Sequence, residues 1–278
     1  MSIKFITDSG SDIIAPHDSR LNVLPLTIRF NDDEYKDGVT LTHHEFYEKL
    51  IESDTLPQTS QVTPFIFEEA IKQARADGSE VLIITISSKL SGTYQSACIA
   101  AGEFDTGVYV VDSENVAVGE KALVAYAIQL ADSGMCCADI AAELNIRKKS
   151  LHTIALLDTL EYLKKGGRIS KTVALAGSLL SIKPVVTVKD GEVAILGKAR
   201  GSKQGNNFLI EQVKSFGIDF TKPVFLGYTG LSDAMLTKYI NDSRDIWEGH
   251  SDALNTGTIG GAIGTHVGPG AIAVAFFD

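Results

Sequence analysis

The sequence predicts an α/β protein with two lobes, the first built on a mostly parallel sheet and the second on a mixed sheet. Short apolar runs rich in β-branched residues alternate with helical patterns up to about residue 165, and paired alternating runs follow. The 278 residues are 44% hydrophobic and 22% charged, which excludes a disordered chain and allows two packed domains. We therefore predict lobes at residues 1–160 and 161–278.

The first lobe contains apolar runs that we assign to its mostly parallel sheet, at residues 3–7, 81–86, 108–111 and 153–157. Thr63 followed by Pro64 predicts a capped helix over residues 65–76. The capping-box spacing from Thr42 to Glu45 predicts a helix that ends near residue 51. Between the first strand and that helix, an extended pair with a polar turn predicts an excursion from the sheet near residues 23–58.

The second lobe contains two alternating runs around Asp190-Gly191, which is a strong signal for a β-hairpin over residues 184–196. A mixed sheet follows from this hairpin and from the short apolar runs after it. We predict helices at residues 202–216 and 234–240 and strands at 224–228, 256–259 and 271–276.

Charge and missing motifs exclude several function classes. The net charge of −10 argues against nucleic-acid binding, which needs clustered Lys and Arg. The N-terminal residues are too poor in apolar residues for a signal peptide, and no apolar run approaches the roughly 18 residues of a membrane span. We expect a cytoplasmic protein with at most transient membrane contact. Phosphate-loop, dinucleotide and His-Glu-x-x-His motifs are missing from the sequence, so we expect no cofactor and no metal site.

Polar segments stand where predicted strands end or helices begin, which is where α/β proteins build binding sites. Asp8 and Ser9 follow the first strand and either direct amides toward an anion or cap a turn, the reading that the segment alone favours. Thr59 and Thr63 precede a helix N-terminus, whose amides and dipole favour a carboxylate or phosphate. Thr63 also has the simpler role of a helix cap.

Three further segments carry candidate residues. Ser91-Gly92-Thr93 follows the strand at 81–86, and the missing side chain of Gly92 lets a ligand oxygen approach the amides, although an ordinary turn has the same composition. His266 lies in a glycine-rich loop and is the best candidate among the six histidines. Arg168 and Arg200 lie in basic, glycine-bearing loops, which are either solvated turns or a positive surface for a phosphorylated ligand or acidic partner.

Five motifs, taken together and in this order along the chain, resemble the DegV family. They are Ile6-Thr7-Asp8-Ser9, Thr59-Ser60-Gln61, Leu90-Ser91-Gly92-Thr93-Tyr94-Gln95-Ser96-Ala97, Lys165-Gly166-Gly167-Arg168-Ile169 and His266-Val267-Gly268-Pro269-Gly270. The resemblance implies a Rossmann-like lobe and a second α/β lobe that enclose a fatty acid in an apolar tunnel between them. It also implies a non-enzymatic carrier, because the better-understood members are binding subunits of a separate bacterial fatty acid kinase, which forms the acyl phosphate.

The resemblance also implies roles for individual residues. Thr59 and Ser91 would bind the carboxylate with the Ser91-Gly92 backbone, and His266 would lie at the carboxyl end. Further ligand contacts would come from Thr63, Asp8, Ser9 and Thr93, and engagement of the kinase or phosphate from Arg200 and Arg168. The sequence departs from many relatives at Val62-Thr63, where they have Pro-Ser.

Two alternatives stay open from the sequence. A serine hydrolase of lipid esters would use Ser91 as nucleophile, His266 as base and Asp8 as orienting acid, although the Gly-x-Ser-x-Gly elbow is missing around Ser91. A likeness in fold to dihydroxyacetone kinase suggests a small-sugar site instead. Apolar segments at 65–67 and 174–180 argue against the sugar, because they supply more apolar surface than a triose needs.

Overall fold

The computed structural model describes residues 2–14, 18–170, 182–250 and 254–278. Its strands, in chain order, are β1 (Ile3–Asp8), β2 (Leu21–Leu24), β3 (Thr27–Phe30), β4 (Asp33–Lys36), β5 (Gln58–Ser60), β6 (Glu80–Thr85), β7 (Val108–Asp112), β8 (Leu151–Leu156), β9 (Ile182–Lys189), β10 (Glu192–Arg200), β11 (Phe225–Tyr228), β12 (Asn255–Thr258) and β13 (Ile272–Phe277). Its helices are α1 (His43–Glu52), α2 (Pro64–Ala74), α3 (Thr93–Ala101), α4 (Val118–Asp132), α5 (Cys137–Arg147), α6 (Glu161–Lys165), α7 (Gly201–Phe216), α8 (Ala234–Asp242), α9 (Arg244–Trp247) and α10 (Gly261–Val267).

The strands form three sheets, which confirms the predicted α/β class with one parallel and one mixed sheet. The parallel sheet has four strands in the order β2-β1-β6-β7. The mixed sheet has six strands in the order β10-β9-β8-β13-β11-β12, with β11 and β12 parallel and the other pairs antiparallel. A small antiparallel sheet has the order β4-β3-β5.

The assignment of the run at 153–157 to the parallel sheet is wrong. Strand β8 lies in the middle of the mixed sheet, where it pairs antiparallel with β13 and β9. Its apolar pattern correctly indicated a buried strand, but both sheets of this chain bury their central strands, so the pattern could not decide between them. The lobe boundary at residue 160 stays a prediction.

The predicted excursion near residues 23–58 contains β3 and β4 of the small sheet, and β5 begins at its end. Strands β3 and β4 form a hairpin whose turn residue Asn31 has a φ of 52°, and β5 pairs with the other edge of β3. The start of the predicted extended pair belongs instead to β2, which joins the parallel sheet. Thr42 and Glu45 form the predicted capping box of α1, whereas Thr63 stands at the N-cap of α2 without a side-chain cap bond.

The predicted hairpin in the second lobe is β9–β10. Its turn residues Asp190 and Gly191 have φ values of 51° and 83°, as a tight turn between antiparallel strands requires. The predicted basic loop around Arg200 does not exist, because residues 197–200 belong to β10 and residues 201–203 to α7.

Helix α4 packs between the two larger sheets and joins them in one hydrophobic core. That core includes Leu82 from the parallel sheet, Leu123 from α4 and Phe277 from the mixed sheet, each fully buried. A second core covers the other face of the mixed sheet around Trp247. Across the described ranges, the helices are all too short or too polar to cross a membrane.

Candidate functional site

A cavity of about 440 Å³ lies between the elements of the two larger sheets. Most of its wall is apolar, and polar side chains are added by β5, the loop between β6 and α3, the segment after α6, and α10. The lining residues are Leu26, Thr59, Ser60, Gln61, Ile86, Leu90, Ser91, Gly92, Val116, Leu163, Arg168, Val193, Ala262, Ile263, His266 and Val267.

Thr59 and His266 meet at the polar part of this cavity. Thr59 lies in β5 opposite Ile28 of β3, and its Oγ1 is 2.9 Å from Nε2 of His266. The glycine-rich segment that carries His266 is therefore not a loop, as we predicted, but the short helix α10.

His266 is held as a neutral ring. Burial lowers the pKa of His266 to about 4, and the positive charge of Arg168 lowers it further in the same direction. Its Nδ1 has no hydrogen-bond partner among the described residues and faces Gly166, where any Cβ would collide with the ring. Gly166 has an ordinary negative φ of −73°, so close approach explains this glycine.

Ser91 and Gly92 line the cavity at the start of α3. The hydroxyl of Ser91 accepts from the Thr93 amide at 3.3 Å and lies 2.9 Å from the Thr93 hydroxyl. The space that we expected Gly92 to leave for a ligand is filled, because a Cβ there would collide with the carboxamide of Gln61. Gln61 is fixed across Gly92 by donation to Ser96 at 2.8 Å.

Arg168 connects the loop between β6 and α3 to the segment after α6 beside this site. Its Nε donates to the carbonyl of Leu90 at 3.1 Å, and its Nη1 donates to the carbonyl of Gly166 at 2.7 Å. A second link runs from the hydroxyl of Ser87 to the carbonyl of Gly191 in the hairpin turn, at 2.7 Å. The loop that carries Ser91 is therefore tied both to the segment after α6 and to the turn between β9 and β10.

Five other predicted site residues lie outside the cavity lining. Thr93 is fully buried behind Ser91, whereas Thr63 and Arg200 are exposed. Asp8 accepts from the amides of Gly10 and Ile86, each at 2.9 Å, and Ser9 donates to Asp37 at 2.8 Å. Burial raises the pKa of Asp8 to about 7. These bonds serve the fold around the site.

In the described contacts, each side chain of the possible hydrolytic triad hydrogen-bonds to a partner outside the triad. A triad requires the base to contact the nucleophile and the orienting acid to contact the base. His266 instead contacts Thr59, Ser91 contacts Thr93, and both oxygens of Asp8 accept backbone amides. The described contacts give the hydrolase no support.

The apolar part of the site extends beyond the main cavity, along residues that the sequence analysis did not single out. An adjoining cavity of about 60 Å³ shares Val116, Leu163, Val193, Ile263 and Val267 with the main one. Its far wall is formed by small and β-branched residues of the mixed sheet, including Ala155, Thr187 and Ala273.

The apolar segments that we cited from the sequence do not supply this wall. Phe67 is buried in the core beside the parallel sheet, and Phe65 is 69% exposed. Residues 174–180 lie outside the described residues. The wall comes from strands whose alternation could be seen in the sequence, but whose neighbours could not.

In the described ranges, no group of three or more His, Cys, Asp and Glu side chains is arranged to hold a metal ion. The buried carboxyl groups of Asp8, Asp12 and Asp37 accept backbone amides instead.

Fold and site together define a three-sheet α/β protein with a mostly apolar cavity that has hydroxyl groups, a neutral histidine and an arginine in its lining. The model of the DegV family of uncharacterised proteins matches residues 2–278, and the chain belongs to this family.

Several proteins are similar to this chain over nearly its full length. A DegV domain-containing protein of Caldanaerobacter subterraneus is 34% identical and covers 99% of this chain and 98% of its own. A DegV protein from Thermus thermophilus, described for its fatty acid binding, has a TM-score of 0.87 at 31% identity, with 100% of both chains covered. The fatty acid kinase B3 protein of Streptococcus pneumoniae, loaded with linoleic acid, has a TM-score of 0.87 over 100% of this chain and 99% of its own, but at 22% identity it shows the fold alone.

The lowered pKa of His266 predicts a pH dependence of stability. Between pH 4 and pH 6.5 the unfolded chain binds the proton that the buried ring rejects, so His266 reduces stability increasingly as the pH falls through this window. The slope is at most about 1.4 kcal/mol per pH unit. In urea unfolding, the difference in unfolding free energy between wild type and His266→Asn should change across this window and level off above pH 7. Parallel curves would contradict the assigned pKa.

Proposed function

We propose that this protein binds one long-chain fatty acid, with the acyl chain in the apolar cavity and the carboxylate at Thr59, Ser91 and His266. The observation that carries the proposal is the continuity of the cavity. Polar side chains are collected at one part of the 440 Å³ cavity, and the apolar wall continues into the adjoining one. A fatty acid matches this arrangement, because it has one polar head group and a long apolar chain.

The acyl chain supplies the affinity in this arrangement. Each methylene group that leaves water contributes about 0.8 kcal/mol, so a chain that fills both cavities is favoured over a short one. The carboxylate loses its hydration and needs donors, because an unpaired buried charge costs several kcal/mol.

The donors are available at the polar end. A neutral His266 that keeps its proton on Nε2 donates to Thr59, which leaves the hydroxyl proton of Thr59 for the carboxylate. Ser91 offers a second hydroxyl beside the first amides of α3, and Arg168 adds a positive charge in the same cavity.

A compact sugar fits this cavity poorly. A triose carries hydroxyl groups along its whole length, whereas the adjoining cavity is lined mostly by Val, Ile, Leu and Ala side chains. The Thermus thermophilus protein, similar over the whole chain at 31% identity, binds a fatty acid according to its description. Both observations favour the fatty acid.

The protein further serves, in our proposal, as the carrier that presents the bound carboxylate to a separate fatty acid kinase. The resemblance of its motifs to the binding subunits of that kinase supports this role. Arg168 stands at the polar end, and Arg200 is exposed at the start of α7, where a partner can reach it.

Mass spectrometry of the organic extract from freshly purified protein tests the proposed function. We expect fatty acid in nearly equimolar amount, and we expect the loaded protein, mixed with a bacterial fatty acid kinase and ATP, to yield an acyl phosphate that hydroxylamine traps. A lipid-free extract together with no calorimetric heat on addition of oleate would rule out the fatty acid site. Heat with a triose under the same conditions would favour the sugar.

Removal of either hydroxyl should weaken oleate binding. Thr59→Val and Ser91→Ala each delete a donor to a buried charge, so we expect at least about a tenfold loss of affinity. Thr63→Val is the matched control, because its hydroxyl belongs to the same segment but is exposed and outside the cavity. Unchanged oleate affinity in both site variants would disprove the carboxylate assignment.

Filling the adjoining cavity should shorten the preferred acyl chain. In wild type, the four extra methylenes of stearate are worth about 3 kcal/mol over myristate. Ala155→Leu occupies the adjoining cavity, so we expect this preference to fall at least about tenfold while myristate still binds. Ala194→Leu, on β10 and outside both cavities, is the control. An unaltered preference would place the chain terminus elsewhere.

A further inference from the structure

Helix α10, which carries His266 in its last turn, begins without a capping side chain of its own. Its N-cap residue is Gly260 and its first residue is Gly261. The first amides of any helix lack partners inside the helix, and a buried amide without an acceptor is costly. The acceptors for α10 come from side chains more than 200 positions away in the sequence.

Two buried carboxylates accept these amides. Oδ1 of Asp12 accepts from the amide of Gly260 at 2.7 Å, and Oδ1 of Asp37 accepts from the amide of Gly261 at 3.0 Å. Asp12 is 5% exposed and Asp37 is 2% exposed, so water does not compete for these bonds. Ser9 donates to the other oxygen of Asp37 at 2.8 Å and orients the carboxylate.

The residues just before the helix are held by the same part of the chain. The hydroxyl of Tyr47 donates to the carbonyl of Ile259 at 2.9 Å, and His43 lies at the carbonyl of Thr258. Both side chains belong to α1, which connects β4 and β5 of the small sheet. Four consecutive backbone positions, residues 258–261, are therefore held by Asp12 and by the segment 37–47.

Close packing leaves α10 little freedom to shift. A Cβ at Gly260 would lie 2.6 Å from Nε2 of His43, and one at Gly264 would lie 2.6 Å from the hydroxyl of Tyr47. The φ of Gly260 is −71°, so steric contact and not backbone geometry requires glycine there. The glycines bring the helix backbone directly against α1.

We propose that Asp12, Asp37 and Tyr47 are positioning residues that hold the start of α10 and thereby keep His266 against Thr59. Asp37 directly follows β4, and Thr59 lies in β5 of the same small sheet, so one rigid unit places both partners of the His266–Thr59 contact. This inference rests on the proposed function where it concerns the ligand, but the placement of His266 is a property of the protein without ligand.

A double-mutant cycle tests the positioning role. Asp37→Ala should lower oleate affinity about tenfold in the wild-type background, because the buried amide of Gly261 loses its acceptor. In a His266→Gln background the same change should cost less than about twofold, because positioning has no effect once the ring is gone. Asp37→Asn keeps an acceptor oxygen and should restore most of the affinity.

Two further variants make the comparison specific. Glu120→Gln is the matched control, since Glu120 is fully buried in the same region but accepts from Thr7, at 3.0 Å, and not from α10. Its oleate affinity should stay within about twofold of wild type. Tyr47→Phe keeps the ring, removes the hydroxyl that donates to Ile259, and decides the question if Asp37→Ala does not fold. We expect a smaller loss that also disappears with His266→Gln.

Titration of the His266 ring by nuclear magnetic resonance, without ligand, separates this inference from the proposed function. In Asp37→Ala the ring should become more exposed, and its pKa should rise from about 4 toward 6.5. If wild type does not bind oleate, the proposed function fails and the titration alone decides the positioning role. An unchanged titration, or equal affinity losses with and without His266, would overturn the inference.

Discussion

Buried carboxylates impose the constraint on which the arrangement around the cavity depends. Burial raises the pKa values of Asp8, Asp12, Asp37 and Glu120, and each charge that remains must be met by hydrogen-bond donors inside the protein. For the first three, backbone amides supply these donors. Since a carboxylate and its amide are far apart in sequence, each bond fixes two distant segments relative to one another.

The same constraint reaches both sides of the polar end. Asp8 holds the amide of Ile86, whose side chain lines the cavity just before the loop to Ser91. Asp12 and Asp37 hold the helix of His266 from the opposite direction. Asp8, for which the resemblance implied a possible ligand contact, does not line the cavity, and its two oxygens accept the amides of Gly10 and Ile86. A buried acid in such a position orders the cavity wall through its hydrogen bonds.

Local features of the fold could be predicted because their causes are local. The Asp190-Gly191 turn needs left-handed backbone, and the capping box at Thr42 needs only a neighbour three residues on. Long-range features could not: the placement of β8 in the mixed sheet depends on pairing with β13, more than 100 residues later. For the site, Thr59, Ser91, Gly92, His266 and Arg168 were identified as candidates and all line one cavity. The bond from the Gly261 amide to Asp37 could not be predicted, because an acidic residue after a short polar strand has the same local sequence as a solvated turn.

Glycine was the most ambiguous residue in the sequence, since it marks backbone freedom and close approach alike. In the segment before β13 it suggested a loop that carries His266. Gly260, Gly261 and Gly264 have a different cause, because an added Cβ at each would meet α1 or β3 at under 3 Å. The amides that glycine exposes there are taken by Asp12 and Asp37. Glycine thus allows a short helix to lie directly on its neighbours, and that contact places the histidine at its far end beside Thr59.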